Sequence, residues 1–255
     1  ITFGRDAVFS ELALAERVNA DLANDLGNLL HRTIGMVTRY HDGVLKGASE
    51  YTEADEKLKM QALALADVVR NEYSAVKFSH GLEAVLEVVR ATNKYIDSSE
   101  PWKLAKTEGA DQRLATVLYN CAEVLRITSV LFEAIMPWKM AELRRQLGLD
   151  EQKAEMTDAT QWGLIPNKTK LLPGDPLFPR IDIKALKAEL GDGEEKQEKK
   201  EKKKKKKKEK KQAPETPAEI TFNDFWRVKL VVVQIKECTK VEGADKLLQI
   251  KCDAG

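Results

Sequence analysis

No stretch of this 255-residue chain approaches eighteen uninterrupted apolar residues, which speaks against a membrane-spanning helix. No basic segment followed by an apolar run opens it, so nothing reads as a secretion leader. Cysteine is scarce: Cys121, Cys238 and Cys252 lie far apart, and neither C-x-x-C nor H-E-x-x-H spacing occurs, which argues against a zinc site. Cys121 falls on an apolar helical stripe and reads as a small core residue. All three cysteines fit a reducing, cytoplasmic compartment. What remains, with 43% apolar and 33% charged residues, is the composition of a soluble globular chain rather than a disordered one. The length allows one large domain, or a medium domain with an appendage. Ile1 in place of methionine and an ending in mid-pattern at Cys252-Asp253-Ala254-Gly255 read as a piece of something longer.

The net charge of +1 conceals an uneven distribution. Residues 194–211 hold twelve lysines against five glutamates, a local net of +7, so the remainder is mildly acidic. The run Lys202, Lys203, Lys204, Lys205, Lys206, Lys207, Lys208 is its densest part. Two readings stand for it: a solubilising tether, or a non-specific, salt-sensitive contact with RNA phosphates.

Hydrophobic periodicity over residues 9–148 is helical throughout. Ser10 reads as the N-cap of a short first helix. A second helix is expected over 19–40, burying Leu22, Leu26, Leu29, Thr33, Met36 or Val37, and Tyr40. Gly27 and Gly35 within it point to close backbone contact, and His41-Asp42-Gly43 is a stop signal. Thr52 with Asp55 resembles a capping box opening a helix to about 70. Further helices are expected over about 81–95, over about 111–135 as the longest, and from Pro137 to Gly148. The stripe expected for the longest is Leu114, Val117, Leu118, Cys121, Leu125, Thr128, Leu131 and Phe132. Such helices without interleaved strands make an antiparallel helical bundle, a mainly α fold. The proline-rich stretch 162–181 runs back over its surface, and 183–190 forms a last short helix.

Beyond this the period changes. Residues 191–218 read as a Lys/Glu-rich linker, and Val228, Leu230, Val232 and Ile235 begin a β-type run followed by a second strand at 247–252. The expected layout is therefore 1–190 helical bundle with wrap-around segment, 191–218 linker, and 219–255 the incomplete start of an all-β domain.

One constellation stands apart. In Ser98-Ser99-Glu100-Pro101-Trp102-Lys103, Pro101 biases Glu100 away from helical geometry, so Trp102 sits inside a break between helices, where core packing is least expected. Asn28 and Arg32, four residues apart on a helix, project about 40° apart around its axis. An amide, a guanidinium and an indole together suit stacking one nucleotide base and hydrogen-bonding its edge. Nothing in the set transfers a proton or activates a nucleophile. By the same reasoning Trp138, Trp162 and Trp226 are expected to pack, and His31 to lie on the surface.

Phe3-Gly4 with Phe9-Ser10, Arg17-Val18-Asn19-Ala20-Asp21-Leu22, Asn28-Leu29-Leu30-His31-Arg32, Glu100-Pro101-Trp102-Lys103, Ile135-Met136-Pro137 and Pro176-Leu177-Phe178-Pro179-Arg180-Ile181-Asp182 recur in one order. In this the chain resembles the anticodon-binding domain of bacterial methionyl-tRNA synthetases. From Phe222-Asn223-Asp224-Phe225 to Ala244-Asp245-Lys246-Leu247-Leu248 it resembles the start of their appended tRNA-binding OB-fold domain, departing from that pattern at Lys229, Val231 and Val233. The resemblance implies tRNA(Met) as partner and its first anticodon base, a cytosine, as the ligand of Asn28, Arg32 and Trp102. It implies ATP and Mg²⁺ for the parent enzyme, and dimerisation through the complete C-terminal domain. The H-I-G-H and K-M-S-K-S sequences of the class I catalytic domain are missing, which places that domain before Ile1, with no catalytic residue expected in this chain. The competing readings are a stand-alone tRNA-binding factor and a helical scaffold in which Trp102 merely packs.

Overall fold

Ser10 does begin the first helix: its Oγ accepts a hydrogen bond from the Ala13 N–H at 3.2 Å. In the computed structural model, which describes residues 9–149, 154–190, 234–240 and 248–253, that helix does not end before the next begins. α1 (Glu11–Arg17) passes into a π-helical stretch (Val18–Gly27) and on into α2 (Asn28–His41) with helical dihedrals at both junctions. The two helices expected here, a short one after Ser10 and a second over 19–40, are thus corrected to one continuous run. Arg17-Val18-Asn19-Ala20 carries no proline or glycine to break it. The wider π turns place polar side chains where other elements meet them. Asn19 exchanges two 2.9 Å hydrogen bonds with the Ile181 backbone, Asn24 accepts from Arg180, and Asp21 and Asp25 accept from Arg90. Of the two glycines, Gly27 has the close contact expected, since a Cβ there meets the Leu22 carbonyl at 3.1 Å, whereas Gly35 faces open space.

Asp42 (φ 53°) and Gly43 (φ 79°) stop α2 in left-handed geometry, as the stop signal predicts. α3 (Glu53–Ser74), α4 (Phe78–Ser99), the single turn α5 (Pro101–Leu104), α6 (Asp111–Leu131) and α7 (Pro137–Gln146) follow. α3 and α4 run past their expected ends, and at 22 residues each they exceed the 21 of α6, which was expected to be the longest. Their hairpin is closed by Tyr73 edge-on to Phe78, ring centroids 5.3 Å apart. At the other end of the bundle, His41 finishing α2 meets Asp111 starting α6 at 3.1 Å, so these two helices are antiparallel.

α6 departs most from its reading. Instead of one apolar stripe, every residue from Leu114 to Leu131 is buried, including Asn120, Glu123 and Arg126. It is the central pillar, touched by α2, α3, α4 and α7. By length and composition it is apolar enough to cross a membrane, yet that whole window is buried within the bundle. Its polar residues fasten the wrap-around segment. Glu123 accepts from the backbone N–H groups of Gly163 and Ile165 at 3.0 and 2.7 Å, and Arg126 donates to the carbonyls of Asp158 and Gln161 at 2.8 and 2.6 Å. That segment contributes a 3-10 turn (Met156–Thr160) and a two-residue strand β2 (Thr169–Lys170), antiparallel to β1 (Val44–Leu45). It buries Ile165, Leu171, Leu177 and Phe178 on the bundle. α8 (Ile183–Leu190) has the expected bounds.

In the second unit, Glu195–Gly255, the described residues are two antiparallel strands, β3 (Gln234–Lys240) and β4 (Leu248–Asp253), with a register irregularity between Ile235 and Glu237. The strand expected around Ile235 therefore continues to Lys240. The 191–218 linker with Lys202 to Lys208, the start of that strand, and Trp226 lie outside the described residues.

Candidate functional site

Asn28 is the first residue of α2, directly at the exit from the π stretch, and it is exposed. Arg32 lies one turn on and is half-buried. Both side chains reach α4. Asn28 Nδ2 lies 3.4 Å from Asn93 Oδ1, and an Arg32 guanidinium nitrogen lies 2.5 Å from Asp97 Oδ1. Below them Arg90 Nε donates to Asp25 at 2.7 Å. The three pairs share a sequence offset of 65, so α2 and α4 run side by side in one direction, in register. Asn93 and Asp97 therefore repeat the four-residue spacing of Asn28 and Arg32, a match that sequence reading missed. Those helices are not neighbours in sequence, and only the bundle topology sets the offset.

α4 then stops abruptly. Glu100 takes left-handed geometry (φ 45°, ψ 55°) and Pro101 occupies the first position of α5, which turns the chain away from the helix axis. Trp102 follows, 39% exposed, five positions after the Arg32 partner Asp97. Pro101 is buried, Leu104 packs on the core, and Lys103 pairs with Glu100 at 2.7 Å, so the turn bearing the indole is anchored on both sides.

The helices on either side of that turn are tied together. Asp55, wholly buried at the start of α3, does more than close the capping box with Thr52, whose backbone N–H donates to Asp55 Oδ2 at 2.6 Å. It also accepts from Tyr95 Oη on α4 and from Arg113 on α6, at 2.5 and 3.0 Å for the arginine. Tyr95 Oη in turn accepts from Asn120 at 3.2 Å. Burial disfavours the Asp55 carboxylate, but the hydrogen bonds from Arg113, Tyr95 and Thr52 outweigh it and hold its pKa at about 2. Burial pushes the nearby Cys121 thiol up to about 12, which suits the inert core role read for it.

Beside the α2 face lies a groove of about 900 Å³ between α2 and residues 173–180, lined among others by Asn28, His31, Arg39, Phe178 and Arg180. His31 is exposed, as expected. Trp162 packs against the core. Trp138 does not: it is 86% exposed, which corrects the expectation of packing. Its place at the second position of α7 points it off the bundle, and Met140 supplies the buried contact instead.

The described residues thus define a helical bundle in which Asn28 and Arg32 of α2 face Asn93 and Asp97 of α4 along one seam. No family model matches the chain. Across all of its length it matches bacterial methionine–tRNA ligases. It is 42% identical to that of Caldanaerobacter subterraneus subsp. tengcongensis, 36% to that of Halalkalibacterium halodurans and 40% to that of Deinococcus radiodurans. The chain spans only 38–39% of the length of these relatives. Its fold matches Mycobacterium tuberculosis methionyl-tRNA synthetase in the free state, with a TM-score of 0.67 and 32% identity over 71% of this chain and 37% of that one. The same enzyme in complex with methionyl-adenylate gives 0.66 and 33%, over 71% and 35%. The resemblance read from the motifs agrees with these matches: the chain is similar to bacterial methionyl-tRNA synthetases over its full length and over 38–39% of theirs.

Proposed function

We propose that this chain is the tRNA-recognition part of a methionine–tRNA ligase, and that Asn28, Arg32 and Trp102 read the first base of the C-A-U anticodon. The observation that carries the reading is the seam itself. Asn28 and Arg32 stand side by side with only light polar engagement, and a part-exposed indole follows the Arg32 partner five residues on, just past the break at Glu100. The 3.4 Å amide contact of Asn28 is long enough to yield to a base edge, and Arg32 has further N–H groups beyond the one given to Asp97. Trp102 supplies the stacking plane.

The remaining parts of the reading follow from the resemblance. The bundle of 1–190 is the anticodon domain, 191–218 tethers it, and 219–255 begins an OB-fold through which the complete protein pairs as a homodimer. Lys202 to Lys208 add phosphate attraction without base selectivity. The parent enzyme uses ATP and Mg²⁺ in the cytoplasm. This chain has no H-I-G-H or K-M-S-K-S sequence to receive them.

The test is binding of the 255-residue chain to anticodon stem-loops carrying C-A-U or a changed first base. The expected result is a clear preference for C-A-U that Arg32→Ala relaxes, because a guanidinium reads the edge of a base. Equal binding to both stem-loops by the unaltered chain overturns the assignment.

A further inference from the structure

The segment that carries Trp102 connects the end of α4 to the start of α6. Its spacing is set by whatever joins those two helix ends. One carboxylate does so. Asp55 accepts five hydrogen bonds: two from Thr52, two from Arg113 and one from Tyr95. Tyr95 stands two residues before Asp97 and Arg113 two residues after the start of α6, so the connection bearing Trp102 lies between two residues gripped by the same group. Asn120 on α6 adds a second tie to Tyr95 Oη, and the cluster is walled by the core on its inner side. Every polar atom of the Asp55 carboxylate is used, and its position at the first turn of α3 is itself fixed by the Thr52 cap.

We propose that Asp55 is a positioning residue for tRNA recognition: by holding Tyr95 and Arg113 together it fixes the spacing of the two helices that flank the Trp102 turn, and with it the orientation of the indole. The claim concerns geometry more than fold. An indole that tilts or slides loses most of its overlap with a base while the bundle beneath it stays folded. The inference rests on the reading of Trp102 as a base-stacking residue, and its test separates the two.

The 255-residue chain is labelled with 5-fluorotryptophan, and the Trp102 resonance is assigned with Trp102→Phe among the four tryptophans. Asp55→Asn keeps the shape and removes the charge. Tyr95→Phe removes a single hydroxyl, and serves if Asp55→Asn does not fold. Met140→Ala, buried in α7 away from the cluster, is the control for general destabilisation. In Asp55→Asn and Tyr95→Phe the Trp102 fluorine signal is expected to shift or broaden while the other assigned signals stay. Affinity for the C-A-U stem-loop is expected to fall by about fivefold, a part of what removing the indole costs, with mismatched stem-loops little affected. Met140→Ala is expected to change neither at a temperature where it is folded. An unmoved Trp102 signal in both variants overturns the proposal, as does a loss of affinity no greater than that of Met140→Ala. If Trp102→Ala itself leaves binding unchanged, the stacking role falls, and the fluorine signal alone decides whether Asp55 holds the turn.

Discussion

Arg126 and Arg32 each meet a carboxylate of their own neighbourhood, and the two pairs live in different physical worlds. Arg126 and Glu123 expose 4% and 0% of their side chains, and each also bonds backbone groups of the wrap-around segment. Arg32 and Asp97 expose 26% and 62%, and only one guanidinium bond joins them. A buried pair that is fully hydrogen-bonded is locked, because removing one partner strands the other out of water. A pair in contact with water is worth roughly 0–1 kcal/mol and its members exchange partners cheaply. The interior pair therefore belongs to the fold, and the seam pair is available to a ligand.

The sharpest way to break that contrast is Glu123→Ala. It leaves the Arg126 guanidinium uncompensated and frees the N–H groups of Gly163 and Ile165. The expected loss is about 3–5 kcal/mol in urea unfolding, with early proteolysis within residues 154–181. Arg32→Ala, made for comparison, is expected to cost less than about 1 kcal/mol of stability. Equal losses in the two variants would erase the distinction.

Asp55 gives the next effect, and it is read by pH. Its folded pKa of about 2 lies below the ordinary 3.8, so its stabilisation is complete above the ordinary value and fades as pH falls toward 2. The interval corresponds to about 2 kcal/mol. Unfolding free energies measured between pH 6 and pH 2.5 are expected to fall more steeply for the unaltered chain than for Asp55→Asn. Parallel curves would show that the cluster does not lower the Asp55 pKa below its value in the unfolded chain.

At the seam, Trp102→Ala is expected to weaken C-A-U stem-loop binding by about 1–3 kcal/mol, a factor of about five to 150, with an unchanged melting curve. A collapsed fold would return the indole to a packing role.

These contrasts also mark how far the sequence alone reaches. The Ser10 cap, the Thr52–Asp55 box, the stop at Asp42-Gly43 and the bounds of α8 depend on residues within a turn of one another, and all were readable. The second role of Asp55 depends on Tyr95 and Arg113, 40 and 58 positions away, and nothing in a local pattern announces it. Burial of α6 all round was missed for a related reason. Asn120, Glu123 and Arg126 look solvent-facing until the partners that satisfy them arrive from the other helices and residues 158–165. At the candidate site the triad was legible from the Pro-Trp helix break and the four-residue spacing together with the motif resemblance, whereas its registry with Asn93 and Asp97 is a property of the bundle.

The smallest expected effect compares two neighbours on α7. Trp138 was expected to pack because it follows a proline at a helix start, yet it stands 86% exposed while Met140, two residues on, is fully buried. A side chain that stays in water when the chain folds gains little from folding, so Trp138→Ala is expected to change stability by no more than about 0.5 kcal/mol. Met140→Ala removes buried methylene and thioether groups and leaves a cavity, for an expected loss of about 2–5 kcal/mol. The two are made in the same chain and measured by the same urea titration, so errors of extrapolation largely cancel in the difference. The indole also has an independent readout: its fluorescence is expected to be quenched by iodide as readily as that of free tryptophan, isolated by difference against Trp138→Phe. A loss of 2 kcal/mol or more in Trp138→Ala, or an indole shielded from iodide, would mean that Trp138 does pack in solution, which would restore the expectation drawn from the sequence.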